Sequence, residues 1–574
     1  MHNSVRLLSA TASSHPPPNL RQNVYKNLTH QFSLAPKARI GLAISGGVDS
    51  MALATICRDF KKKHSECDFT GFIVDHGARA ESGDEASKVA TELRNLGIHP
   101  EILKLDWSGR GNPKYLANFE TVARQLRYQA LGKACYQQRV TKILTAHHAD
   151  DLAETVLSRM IAGYLGEGLQ GMKSKTAIPE CQGIYGVDAS GAPRMPRLRP
   201  GSRSVHIESG GVFLHRPLLL FTKNQLIEIC QQNKVQWFED STNADKTLTV
   251  RNTIRHLQSS GQVPAVFQRP RLTALATSLR IKHQLHERRA TEIWNDMSVQ
   301  LNLATGTASF SLPEGYSFGM TADGQPYHVK ALLARKLLML VTPLQAISLQ
   351  DLDTAIDTFF QPSVLSVAKG QIQGVTVHYG KSTQGKLTLA RQAPLRNTVR
   401  STALSNLESI TGREAGAEKV YTHATGWLLW DNRYWIRVLH SGTAHTPPPP
   451  HFRFSVNFLS PATIHRLRAS ITGDRSASIA LQRALNQAKA SRFTQPVLSM
   501  KVDDGKSSSI EANKSEQILA LPALGWARKD VVKQLGLSYE TRYKAVDFGG
   551  GKGHVLVDNA ESTKKPGSKQ RALE

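Results

Sequence analysis

The stretch Ala38-Arg39-Ile40-Gly41-Leu42-Ala43-Ile44-Ser45-Gly46-Gly47-Val48-Asp49-Ser50 decides how this chain folds. Its apolar run reads as a buried strand, Ser-Gly-Gly as a turn, and Met51 to Phe60 as the helix that follows. Two more such units follow. Thr70 to Val74 is an apolar strand ending at Asp75-His76-Gly77, with Asp84 to Leu96 helical beyond it. Lys142 to Ala146 is a third strand, ending at His147-His148. Alternating strands and helices predict an α/β fold with an open, doubly wound parallel sheet. Ligands of such sheets sit at the carboxyl ends of the strands, where all three polar clusters fall.

The glycine turn suits a phosphate. Gly46 and Gly47 leave the backbone open to a close approach, Ser45 and Ser50 carry hydroxyl donors, and the next helix presents its positive end. Asp49 cannot bind phosphate directly, so its expected part is a Mg²⁺ ligand or a water-mediated contact. The Gly-Lys-Ser/Thr ending of a Walker loop is missing, which argues against ordinary phosphoryl transfer.

Composition narrows the partners. The chain has 574 residues, enough for about three folded units. Lys and Arg number 72 against 46 Asp and Glu, a formal charge of +26 that a polyanion such as nucleic acid would relieve. No apolar stretch is long enough to span a membrane as a helix. The five cysteines, Cys57, Cys67, Cys135, Cys181 and Cys230, are scattered and form no Cys-x-x-Cys pair, which argues against a disulfide framework or a metal cluster. The first acidic residue is Asp49, where average acidic content would place about four before it. With Arg6, Arg21, Lys26, Lys37 and Arg39 there, residues 1–35 read as a mitochondrial transit peptide, or otherwise as a disordered arm broken by Pro16-Pro17-Pro18.

Residues 36–258 are expected to form the nucleotide-binding domain. Within it, Lys173 to Gly211, with Arg194, Arg197, Arg199 and Arg203, reads as a long surface insertion, either RNA-contacting or without a role. Residues 259–370 read as a mostly helical domain, from the spacing in Arg271–Met297, Ala331–Val341 and Leu352–Phe360. Residues 371–560 read as a mixed α/β region, expected to bind nucleic acid, with a hairpin at Gly374–Tyr379 and Lys386–Ala390, and 561–574 as a disordered tail. Trp430, Tyr434 and Trp435 are read as core, with base stacking the alternative.

The loop Ser45-Gly46-Gly47-Val48-Asp49-Ser50 resembles that of the ATP-pyrophosphatase (PP-loop) superfamily, whose members adenylate a substrate and release pyrophosphate. Further segments are similar to the tRNA(Ile)-lysidine synthetase family. They are Val74-Asp75-His76-Gly77, Asn118-Phe119-Glu120 with Ala123-Arg124 and Arg127-Tyr128, and Ala146-His147-His148-Ala149-Asp150-Asp151 with Glu154-Thr155. Arg216-Pro217-Leu218-Leu219, Glu239 to Asn243, and Arg251-Asn252 with Ile254-Arg255 complete an ordered set.

The resemblance implies ATP and Mg²⁺ as cosubstrate and cofactor, and free lysine and the tRNA(Ile) with a CAU anticodon as partners. It implies ligation of lysine to the wobble cytidine through an adenylated intermediate. ATP contacts are expected from Ser45 to Ser50, Asp75 and His76, and catalysis from Asp49, His147, Asp151, Glu154 and Arg127. Asp151 and Glu154 lie three apart on one helix face and suit binding the lysine ammonium or deprotonating it. Arg124, Glu120 and Asn118 are expected to contact lysine or phosphate, and Arg251, Asn252 and Arg255 the tRNA. A tRNA thiolase and an inactive RNA-binding relative are the alternatives.

Overall fold

A computed structural model describes residues 39–77, 81–111, 113–194, 205–238, 250–259, 263–312, 318, 326–360, 369–379, 386–395, 401–409, 421–441, 452–502, 516–549, 551 and 553–557. Residues 1–38, Arg79, Arg197, Arg199, Arg203, Glu239 to Asn243, Pro447–Pro450 and the tail lie outside these, as do the side chains of Arg251 and Asn252. The described residues fall into two compact units. One runs to Gln182 and takes in Gly211–His283, and the other comprises Gly183–Gly210 and the residues from Gln284.

The first unit is the expected α/β domain. Its strands are β1 (Arg39–Ile44), β2 (Asp68–Asp75), β3 (His99–Lys104), β4 (Lys142–Leu144), β5 (Lys175–Ala177) and β6 (Phe213–His215). They lie in the order β3-β2-β1-β4-β6-β5, parallel throughout except for β5 against β6. Its helices are α1 (Val48–Lys63), α2 (Ser82–Asn95), α3 (Phe119–Gln137), α4 (Ala149–Ile161), α5 (Lys223–Gln232) and α6 (Val250–Ser259), with the beginning of α7 (Arg269–Asp296). Alternation along β1 sends Ile40, Leu42 and Ile44 into one core with α1, α2 and α5. Gly41 faces the other way, where a Cβ would stand 2.8 Å from the Phe72 ring. Strands β3, β5 and β6 were not expected: β3 (His-Pro-Glu-Ile-Leu-Lys) carries a proline and no alternation, and β5 and β6 have three residues each, too short for a periodic signal.

The second unit follows other limits than the division expected at 258/259 and 370/371. A strand pair at Ser298–Asn302 and Thr307–Ser311 joins the expected hairpin, found at Val375–Tyr379 and Leu387–Arg391, in one sheet. Helices Tyr327–Met339 and Asp353–Phe360 share its core. Residues read as a helical domain and those read as a mixed region therefore bury one apolar surface together.

The 173–211 insertion is divided between the units. Lys175–Ala177 pairs with β6, and His206–Ile207 pairs with Leu537–Tyr543 in the second unit. There Glu208, buried, accepts from Arg542 at 3.0 Å and from the Tyr185 hydroxyl at 3.0 Å. That segment is a built part of the second unit, so the reading as a roleless surface loop is corrected for its described residues.

Trp430, Tyr434 and Trp435 are buried in the same unit, each at most 3% exposed. Their partners settle why: Tyr434 packs edge-on against Tyr543 and gives its hydroxyl proton to the Leu303 carbonyl at 3.1 Å. Base stacking by these rings is excluded, and core is their role.

Candidate active site

Strand β1 ends at Ile44, and the turn that follows needs a glycine. Gly46 has φ +87°, and a Cβ there would stand 2.6 Å from Val89 Cγ2 of α2. Its carbonyl accepts the Phe238 amide at 3.0 Å, tying the turn to a distant segment. Gly47 caps α1 without a side chain, so the amides of the first helical turn are left for a ligand. Val48 packs into the core and offers the loop only its backbone. Ser50, read as a phosphate donor, is buried and donates its hydroxyl to the Gly47 carbonyl at 2.9 Å. That bond shapes the loop; Ser45, which is exposed, and Ser50 both line the cavity.

A cluster of charge lies beside this loop. His148, at the N-cap of α4, is 4% exposed. Its Nε2 is 3.6 Å from Asp49 Oδ2 and 3.5 Å from Asp151 Oδ2, and its Nδ1 is 3.4 Å from Asp150 Oδ2. Burial alone would lower the imidazole pKa. The carboxylates of Asp150, Asp49 and Asp151 outweigh it and lift the value to about 10. Two arrangements compete at Nδ1, which when neutral accepts the Asp150 amide at 3.2 Å and when protonated faces the Asp150 carboxylate. The three surrounding carboxylates favour the protonated ring. Asp49 Oδ1 is buried and, among the described residues, has no hydrogen-bond partner, the state expected of an oxygen meant for a cation.

The other predicted residues divide into those that face the cavity and those that support it. Glu154 is 2% exposed and takes Arg255 in a two-pronged pair, Nε 2.9 Å from Oε1 and NH2 3.2 Å from Oε2. Asp151 lines the cavity; Glu154, three residues on, sits behind it. Asp75 accepts the Gly77 amide at 2.9 Å and the Ser82 hydroxyl at 2.5 Å, closing the turn after β2. His76 lines the cavity, and its carbonyl accepts Trp107 Nε1 at 2.7 Å. His147 also lines it, with Nδ1 2.9 Å from the Thr145 hydroxyl.

The cavity measures about 1100 Å³ and brings the loop together with Glu120, Arg124 and Arg127 of α3. Both guanidiniums lie over the Tyr128 ring, at 4.8 and 5.2 Å, and Arg124 reaches Glu180 at 3.4 Å. Asn118 is exposed at the start of α3 and outside the lining. Sequence reasoning missed Lys88, Trp237 and Phe238, which also line the cavity, and Arg269, which pairs with Asp150 at 2.6 Å. The adjacent Trp-Phe pair before an acidic motif was the available signal for two of them; nothing local marks Lys88 or Arg269.

Residues 20–259 match the family model described as a PP-loop domain. The chain is similar to a probable tRNA(Ile)-lysidine synthase of Schizosaccharomyces pombe, with 28% identity over 71% of this chain and 79% of that protein. It is similar also to the tRNA(Ile)-lysidine synthase of Ruegeria pomeroyi, with 34% identity over 39% of this chain and 45% of that one. The corresponding protein of Wolbachia pipientis shows 29% identity over 43% and 49%. The chain thus spans most of the yeast relative's length and about half of the bacterial ones. Among solved structures, a U34-tRNA thiolase of Methanococcus maripaludis aligns with a TM-score of 0.33 and 13% identity, covering 46% of this chain and 78% of that one.

Proposed function

The chain belongs to the PP-loop ATP-pyrophosphatase family, and from that premise we propose that it is an ATP-dependent tRNA(Ile)-lysidine synthetase. It joins free lysine to the wobble cytidine of the tRNA with a CAU anticodon. The observation that carries this reading is the convergence of the Ser45–Ser50 loop, Asp49, His147, Asp151, Arg124 and Arg127 on one cavity.

The chemistry has two steps. The cytidine O2 attacks the α-phosphorus of ATP, the bond to the β-phosphate breaks, and pyrophosphate leaves. The lysine ε-amine then attacks C2, the C2–O2 bond breaks, and AMP leaves with the oxygen. The amides of the loop and of α1 cradle the phosphates. Asp49 would hold Mg²⁺ through Oδ1, which no described residue engages, and the ion would neutralise phosphate charge when bound. Attack requires an uncharged amine, and Asp151 and His147, both in the cavity wall, are the groups to take its proton. Arg124 and Arg127 contact phosphate or the lysine carboxylate. Glu154 acts on Asp151's side of the site through Arg255, whose half-exposed side chain, with Arg251 and Asn252, is assigned to the tRNA. The +26 charge supports a polyanionic partner.

Against sulfur transfer, the five cysteines are all buried and none is joined to another in a disulfide. Burial pushes the Cys135 thiol up to about 12, and burial with nearby Asp49 does the same to Cys230 behind the loop. Thiols so held are poor nucleophiles for a relay.

The acid-free residues before Asp49 support a mitochondrial address, which a fusion of residues 1–35 to a fluorescent protein would test. For the activity, tRNA incubated with ATP and lysine is digested and weighed by mass spectrometry. A cytidine carrying lysine is expected with the wild type and not with Asp49→Ala; sulfur incorporation, or no product, would overturn the reading.

A further inference from the structure

Asp150 is not a cavity residue, yet it stands where three helices begin. It belongs to the first turn of α4, its Oδ2 accepts the amide of Lys223, first residue of α5, at 2.9 Å, and its Oδ1 meets Arg269, first residue of α7, at 2.6 Å. On its inner side Oδ2 faces His148 Nδ1 at 3.4 Å. The other ring nitrogen of His148 is shared by Asp49 and Asp151. A single buried imidazole is thus held between Asp150 on one side and the two site carboxylates on the other.

The balance depends on Arg269. Hydrogen bonds to a guanidinium and a backbone amide satisfy Asp150 from outside, so it competes only moderately for the ring. Without Arg269 the Asp150 carboxylate keeps its place at the two helix starts, where the amides favour it, and turns its uncompensated charge on Nδ1. The ring then shifts toward Asp150, and Asp49 and Asp151 lose the group that holds them together against their own repulsion.

Building on the function proposed above, we infer that Arg269 is a positioning residue: acting through Asp150 and His148, it keeps Asp49 and Asp151 in the arrangement that adenylation and lysine attack require. The rival assignment for an arginine on a basic chain, a direct phosphate contact with tRNA, predicts a different kinetic signature.

The test uses the full-length enzyme with Arg269→Ala and Arg269→Lys, measuring steady-state turnover with ATP, lysine and tRNA, and hydrogen–deuterium exchange of the peptide covering 147–155. Arg269→Ala is expected to lower kcat by about tenfold or more with KM for tRNA within about twofold, and Arg269→Lys to recover part of the loss. Exchange in 147–155 is expected to quicken in Arg269→Ala and to return toward wild type in Arg269→Lys. Unchanged kcat with a raised, salt-dependent KM for tRNA would make Arg269 an RNA contact and overturn the proposal, as would wild-type exchange in both variants. Should the wild type itself show no lysine-dependent turnover, the function reading falls, and the exchange measurement still decides for or against Arg269.

Discussion

Glu154 and Arg255 form a two-pronged ion pair in which the glutamate side chain is almost wholly buried and the arginine side chain remains 43% exposed. The asymmetry fixes what each substitution does. Arg255→Ala takes the guanidinium from a buried carboxylate and is expected to cost about 2 kcal/mol, less than for a fully buried pair because solvent reaches Arg255. Arg255→Ala with Glu154→Gln should cost less than Arg255→Ala alone. Urea unfolding of the two variants checks this.

The loop geometry predicts a selective loss of nucleotide. Gly46→Ala places a methyl group into Val89 and forces a side chain onto a backbone at φ +87°. ATP affinity is expected to fall by about tenfold or more, read by calorimetry. Gly47→Ala, whose Cβ would come no nearer than 3.8 Å to Ser45 Oγ, is expected to cost far less affinity.

His148 gives a pH dependence with a definite sign. Its folded pKa, about 10, stands above the ordinary value of 6.5, so its contribution to stability is complete below about 6.5 and is lost as pH rises through about 10. Stability measured by urea midpoint should therefore decline over that window in the wild type. The decline should be shallower in His148→Asn, whose side chain does not titrate there.

The aromatic strand of the second unit should behave as core. Trp435→Ala removes a side chain that is 2% exposed and is expected to destabilise by about 4 kcal/mol. The same protein, assayed below its unfolding transition, is expected to bind tRNA within about twofold of wild type. A larger loss of affinity with unchanged stability would contradict the core assignment.

Local order was legible from the chain itself. The strand, glycine turn and helix from Arg39 onward, the clusters at Asp75 and His147, and the parallel sheet that carries them follow from periodicity and turn chemistry, which act between near neighbours. Strand β5 and strand β6 were not legible, because three residues carry no period and are held only by their partners. Nor was the true course of 259–370, whose strands exist because Leu387–Arg391 offers them an edge.

At the site, the sequence alone determined which residue types gather: a glycine loop with Asp49, paired histidines, two spaced carboxylates and basic residues on α3. Tertiary structure decided what each does there. It put Val89 against Gly46, turned Glu154 to Arg255 across 101 positions, and brought Arg269 to Asp150 across 119. The physical reason is that a carboxylate's role depends on which charge and how much water lie within a few ångströms of it. Only the folded chain sets those distances.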